Sequence, residues 1–398
     1  MVIKKLSEEY KEELIDLWDY CFAGGGETSE EDWKDWFSIL DFDNCLGYFI
    51  DGKIASTYVI HSYKMFVRGV LMKMGGIGAV ATKPEFRKQR QITELTKESF
   101  KVMRRNQEYI SVLCPFKFSF YRRYGYENCA DFEWIISSPE NILLPKDFKP
   151  LKIEEISQDE SFKICMPIRE KIGSKFNLTI FDDLEYWKYH HARKKTKVFV
   201  IKDGEENVGY FTTSLEKREG PWNVRLIMRN VIVDSEVARL TVFDYIKKHT
   251  DQNKDFSYPL LGDERITDYF DDLWEGEFKY QMTGGPMFRV VDVKKAMELL
   301  EFDKSLDVTF SMKIDDEYAP WNSEPILVTI KNGKAKITKT TDENIDLSTE
   351  IKAFTQLFVG YRTIYDLFEL KKVKIKKNDL EKFNKVFPKR FTRLRTFF

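Results

Sequence analysis

Ile77 to Thr82 is an apolar run that reads as a strand. It leads through Lys83-Pro84-Glu85-Phe86 into Arg87-Lys88-Gln89-Arg90-Gln91-Ile92, and an amphipathic helix follows to about Asn106. A strand that delivers a basic turn to a helix N-terminus is suited to binding phosphate. The turn's backbone N–H groups and the positive end of the helix dipole face the anion, while Arg87, Lys88 and Arg90 add charge. Thirty-four residues after Arg87 comes Tyr121, within Ser119-Phe120-Tyr121-Arg122-Arg123-Tyr124-Gly125-Tyr126. A phenol placed shortly after the next strand can act as an acid near whatever the phosphates carry.

Holding these groups requires a sheet. A short strand near Val2-Leu6 precedes a helix through Leu14, Leu17 and Trp18, with Ser7 as its expected N-cap. Gly24-Gly25-Gly26 forces a loop, and Thr28 with Glu31 reads as a capping box for a helix carrying Trp33, Trp36 and Phe37. Strands around Cys45-Ile50 and Lys53-Tyr63 meet at Asp51-Gly52, a hairpin signal, and Arg68-Gly69 turns a second hairpin into the Leu71-Thr82 strand. The Tyr109-Pro115 and Asp131-Ser138 strands are expected to finish this mixed sheet.

Composition sets the outer bounds. A chain of 398 residues exceeds one ordinary core, so two or three domains are expected. With 64 basic and 65 acidic residues the charges nearly cancel, which argues against a general nucleic-acid binder. Cys21, Cys45, Cys114, Cys129 and Cys165 are widely spaced and form no Cys-x-x-Cys, so neither a metal site nor a disulfide framework is indicated. The acidic N-terminus is no signal peptide, no apolar run is of membrane-spanning length, and a cytoplasmic setting is expected.

Pro139 and the stretch Leu144 to Pro150 mark a boundary. From about 151 to 285 come helices near Glu160-Ile172 and Tyr186-Lys195, then strands at Thr196-Ile201, Asn207-Ser214 and Asn223-Ile232, then a helix over Val237-His249. The link before that helix, Val233-Asp234-Ser235-Glu236, puts two acids where phosphates would sit, so by charge this unit should reject a phosphorylated ligand. A third unit has strands at Ser305-Ile314, Pro325-Lys331 and Lys334-Thr340, with Asn332-Gly333 turning a hairpin. Helices are expected at Ser348-Phe358 and Tyr361-Leu370. Asn378 should cap a last helix, whose stripe is Leu380, Phe383, Val386 and Phe387 and which Pro388 stops. The basic tail from Lys371 to Arg395 alternates charge with Val373, Ile375, Leu380 and Phe383, which fits a solvated face better than a nucleic-acid surface.

The strand, turn and helix resemble the cofactor-binding core of the GNAT N-acetyltransferases, whose turn is Arg/Gln-x-x-Gly-x-Gly/Ala. Here Arg90 and Ile92 stand where that pattern has its small residues. Tyr121-x-x-Tyr124-Gly125-Tyr126 resembles the family's closing motif and is similar to the Eis (enhanced intracellular survival) branch. Leu357-Phe358-Val359-Gly360-Tyr361 and Phe387-Pro388 look like that branch's sterol-carrier-protein-like end domain. The resemblance implies an α+β fold: a GNAT catalytic domain over 1–148, a degenerate GNAT-like domain over 149–287 and a sterol-carrier-protein-like domain over 288–398.

It also implies an acetyl-CoA-dependent N-acetyltransferase for aminoglycoside-like or lysine-like amines, working without a metal. Val80, Ala81 and Thr82 would offer backbone groups to the pantetheine arm. Arg87, Lys88, Gln89, Arg90, Gln91, Ile92 and Thr93 would hold the pyrophosphate. Tyr121 takes the family's general-acid position, and the carboxylate of Phe398, the last residue, takes that of the base. Two terminal phenylalanines fit an end held inside a cleft. Phe22, Glu27 and Trp36 are candidates to line the amine pocket. A homohexamer is implied, with no nucleic-acid or membrane partner. The other reading is a non-catalytic protein that binds acyl-CoA or lipid through its third domain.

Overall fold

The structure, a computed structural model, describes residues 2–23, 30–181, 184–185, 187–188, 196–221, 223–260 and 264–392. The expected Gly24-Gly26 loop, the Thr28 cap, all of the expected Tyr186-Lys195 helix except 187–188, and the candidates Glu27 and Phe398 lie outside these residues. The chain forms two compact units. One is built chiefly from Met1–Ala130 and Gly285–Arg390, the other chiefly from Asp131–Gly284.

In the first unit, strand β1 (Val2–Lys5) is followed by helices α1 (Lys11–Phe22) and α2 (Glu30–Ser38). Strands β2 (Cys45–Ile50), β3 (Lys53–Val67) and β4 (Val70–Thr82) form an antiparallel meander. Its turns hold positive φ at Asp51 and Gly52, and at Arg68 and Gly69. That is the backbone a two-residue hairpin needs to match strand twist, and it explains why Asp-Gly and Arg-Gly read correctly. Helix α3 (Gln91–Arg105) connects β4 to the parallel strand β5 (Ile110–Leu113), and α4 (Phe118–Arg122) leads to β6 (Glu127–Asn128). Along α3, Leu95, Ser99, Phe100 and Met103 face inward, while Lys97 and Lys101 pair with Glu94 and Glu98 at 3.0 Å on the wet face. Phe100 is wholly buried, which is worth about 2–3 kcal/mol.

The sheet is not finished by Asp131–Ser138 as expected. Asp131–Ser137 (β7) pairs instead with Asp255–Leu260 and Phe278–Gly284 in the second unit. The place beside β5 is taken by Met287–Val290, which pairs antiparallel with both β5 and β6. An alternating apolar strand states its buried face but not its partner, because pairing is set by non-local contacts.

The same unit holds the C-terminal sheet, in the order Lys334–Lys339, Ile326–Lys331, Val308–Asp315, Leu347–Glu350, Val373–Ile375. Its helix Ile351–Phe358 starts later than the expected Ser348, because Leu347–Glu350 is held in parallel pairing with Met312–Asp315. Ser7 does not cap α1. It bonds the Glu9 carboxylate at 2.8 Å, and α1 begins only at Lys11. The last helix, Leu380–Val386, is preceded by Asp379 rather than capped by Asn378.

In the second unit, Val224–Met228 and Asp255–Leu260 run parallel, with the helix Glu236–Lys247 between them in sequence. This repeats the strand, helix and parallel strand of β4, α3 and β5. Phe243, Ile246, Phe256 and Tyr258 are among its core residues.

Candidate active site

The parallel ladder between β4 and β5 runs from Met74↔Ile110 to Ile77↔Leu113 and ends there. β4 continues to Thr82 paired only with β3, so its edge from Gly78 onward is splayed from β5. A bulge sets the splay. The β3–β4 register shifts between Thr57 and Val59, and Ala79 holds φ +44°. The Thr57 hydroxyl donates to the Ala79 carbonyl at 2.7 Å and accepts the Trp18 indole N–H at 3.1 Å, tying the bulge to α1. Val80 and Thr82 are half-buried and Ala81 is buried, so the candidate pantetheine strand lies along this splay.

Beyond it comes the basic turn. Arg87, Lys88, Gln89 and Arg90 are exposed, and Arg87 Nε donates to the Thr82 carbonyl at 3.2 Å. Lys88 and Arg90 hold φ of +64° and +63°, the left-handed backbone that glycine adopts most readily. Arg90 thus keeps the glycine conformation without glycine. It is also the N-cap of α3 and provides no side-chain cap. Thr93 N–H and Glu94 N–H return to its carbonyl at 3.0 and 3.3 Å, while the first-turn amides of Gln91 and Ile92 precede these bonds. Gln91 is buried and bound to the strand end: the Thr82 hydroxyl meets Ser56 Oγ at 2.9 Å, and Ser56 donates to Gln91 Oε1 at 2.9 Å. The Gln91 amide nitrogen is buried with no partner. An uncapped helix N-terminus, an orphaned buried donor and an exposed basic turn suit a pyrophosphate. The second unit differs, since Ser235 Oγ there accepts the Ala238 N–H at 3.3 Å and occupies its helix N-terminus.

Tyr121 lies on α4, 5 % exposed, among Phe116, Phe120 and Tyr126 with ring centroids 5.0–6.3 Å away. Burial pushes its phenol above the ordinary range, with smaller contributions from Tyr58, Tyr124 and the Cys114 thiol. The hydroxyl therefore stays protonated through neutral pH. Tyr121 shares one buried cluster with Ile77 and Leu113, the last pair of the ladder, and Val80 packs against that cluster, so the phenol-bearing residue lies beside the splay.

An aromatic wall meets the same mouth. Gly78, the first β4 residue past the ladder, lies against His61 and Trp36: a β-carbon there would be 2.9 Å from His61 Nε2 and 3.7 Å from the Trp36 ring. The Trp36 centroid is 5.3 Å from His61, 4.9 Å from Trp18 and 6.1 Å from Trp33, and Phe22 stands 5.7 Å from Trp33. The structure thus joins the predicted Phe22 and Trp36 and adds Trp33 and His61. The i, i+3 spacing of Trp33 and Trp36 on one helix was the available signal. Among the described residues, no three His, Cys, Asp or Glu side chains gather as a metal ion would require.

Two family models match the chain. An acetyltransferase (GNAT) domain covers residues 2–129, and a sterol carrier protein domain covers residues 293–392. The chain is therefore an acyltransferase built on a GNAT domain. Its particular architecture joins that domain to a sterol carrier protein domain at the C-terminal end. Solved structures of similar fold span the whole chain. A GCN5-related N-acetyltransferase from Anabaena variabilis superposes with a TM-score of 0.87 at 19% identity, over 100% of both chains. An Enterococcus faecalis protein described as a probable N-acyltransferase gives 0.86 at 22% identity, over 100% of this chain and 99% of that one. Eis1 from Mycobacterium abscessus gives 0.82 at 14% identity, over 100% of both. No curated protein matches the sequence.

Proposed function

We propose that the chain transfers an acetyl group from acetyl-CoA directly to an amine of aminoglycoside or lysine type. The observation that carries this is the set of features gathered at the end of β4: the uncapped α3 N-terminus with the orphaned Gln91 side-chain amide, the splay beyond Ile77 and Leu113, and the buried Tyr121 packed with that pair. Acetyl-CoA supplies the activated carbonyl. The amides from Lys88 to Ile92 and the charges of Arg87, Lys88 and Arg90 hold its pyrophosphate, and the backbone of Val80, Ala81 and Thr82 aligns its arm.

Two protons must move. The Phe398 carboxylate accepts one from the acceptor's ammonium, directly or through water, and so frees the amine lone pair to attack the thioester carbonyl. Tyr121 delivers the other to the departing thiolate. In water a phenol (about 10) is a weaker acid than a thiol (about 8.5), so it donates only to a thiolate forming within hydrogen-bond reach. Phe22, Glu27 and Trp36 line the acceptor side. The second unit carries no acetyl-CoA, in keeping with Asp234, Glu236 and the Ser235 cap. The working form is a cytoplasmic homohexamer.

The test mixes purified protein with acetyl-CoA and a panel of amines and follows thiol release. The expected result is amine-dependent release with an acetylated product. Binding of acetyl-CoA without release for any amine would favour the non-catalytic reading. A short C-terminal extension should abolish turnover while leaving acetyl-CoA binding intact, and full activity with the extension would remove Phe398 from the scheme.

A further inference from the structure

Arg289 sits in the strand inserted between β5 and β6, facing Ser111 in register, and is wholly buried. Its Nη2 donates to both carboxylate oxygens of Asp316 at 2.6 Å, and its Nη1 donates to the Tyr124 carbonyl. The guanidinium lies 4.2 Å above the ring centroid of Phe100 on α3. Asp316 is itself fixed: it accepts from Tyr318 N–H at 3.2 Å, Ala319 N–H at 3.1 Å and Asn322 Nδ2 at 2.9 Å.

Tyr124 is held at its other backbone group, the N–H, by the phenol-bearing residue. Tyr124 N–H donates to the Tyr121 carbonyl at 2.9 Å, and Tyr126 N–H does so at 3.3 Å. The Tyr124 ring is clamped too, with Tyr318 at 5.3 Å and a 3.2 Å contact between its hydroxyl and Thr93 Oγ1. One residue, Tyr124, therefore separates Arg289 from the Tyr121 carbonyl. A buried ion pair contributes little net stability against its desolvation, so its use here is better sought in geometry. Arginine's rigid planar fork can grip a carboxylate and a carbonyl together, which an ammonium cannot do in one plane.

We propose that Arg289, held by Asp316, is a positioning residue for Tyr121. Through it the sterol carrier protein domain fixes the phenol of the acetyltransferase domain. This inference rests on the reading of Tyr121 as proton donor. The carbonyl of Tyr124 is fixed from the C-terminal domain, the turn after α4 is locked, and the hydroxyl is held at the splay.

The test is a double-mutant cycle on the full-length protein, reading kcat and KM for acetyl-CoA by thiol release, with folding followed by thermal melting. Arg289→Lys and Asp316→Asn are each expected to lower kcat on the order of 10- to 100-fold, the scale of a small misplacement, with KM for acetyl-CoA nearly unchanged. In a Tyr121→Phe background neither should lower kcat further, because the group they position is gone. Equal losses in both backgrounds, or a loss confined to KM, would overturn the positioning role while leaving Tyr121 as the acid. Undiminished release by Tyr121→Phe alone would defeat both. Asp316→Asn, close to isosteric, decides the matter should Arg289→Lys fail to fold.

Discussion

A β-carbon on Gly125 would stand 1.8 Å from Nη1 of Arg289 and 2.7 Å from Cγ2 of Ile351. Arg289 cannot swing aside, because its guanidinium is bonded to Asp316 and to the Tyr124 carbonyl. Gly125 also holds φ +82°. Gly125→Ala should therefore lower the unfolding free energy by about 2–4 kcal/mol, combining left-handed strain with overpacking. Urea unfolding checks this, and an unchanged midpoint would mean that the close approach is not enforced.

Arg90 gives the opposite expectation. It holds a left-handed backbone at the N-cap of α3. Arg90→Gly should raise stability by roughly 0.5–1 kcal/mol, and Arg90→Val, β-branched and poorly tolerated there, should lower it by about 1 kcal/mol or more. Chemical denaturation of the two variants should show them moving to opposite sides of the parent protein.

Glu108 adds a pH dependence. It is buried, accepts from Ser62 Oγ, and burial raises its carboxyl from 4.5 to about 7. Between these values the folded chain binds more protons than the unfolded chain. The stabilisation is complete below pH 4.5 and is lost as pH rises towards 7. The total is about 3 kcal/mol, since each tenfold change in proton affinity is worth roughly 1.4 kcal/mol. Glu108→Gln should flatten this part of the stability curve, and an unchanged slope would show that another group carries it.

Local chemistry was legible in the sequence. Asp51-Gly52, Arg68-Gly69 and Asn332-Gly333 turn as read, because positive φ at both turn residues is a local demand. The basic turn ahead of α3 was legible for the same reason. That Arg90 would keep the glycine backbone was not, since tertiary packing overrides residue preference. The exchange of Asp131–Ser137 for Met287–Val290 left no local trace, and neither did the Arg289–Asp316 pair, whose other partner, Tyr124, lies 165 residues earlier in the chain. Glu108 gave no signal, because its burial is made by Ser62 and neighbours distant in sequence. The aromatic wall was half visible, with Phe22 and Trp36 singled out while His61 lay unremarked within the Lys53-Tyr63 strand.

Comparing Tyr121→Phe with the parent protein tests the central claim most directly. Phe116, Phe120 and Tyr126 pack the ring from its sides, so the variant should fold and bind acetyl-CoA normally. Thiol release in the presence of a competent amine should fall by about 10²-fold or more, the usual worth of a positioned acid. Release at the parental rate would contradict a phenol as the source of the thiolate's proton.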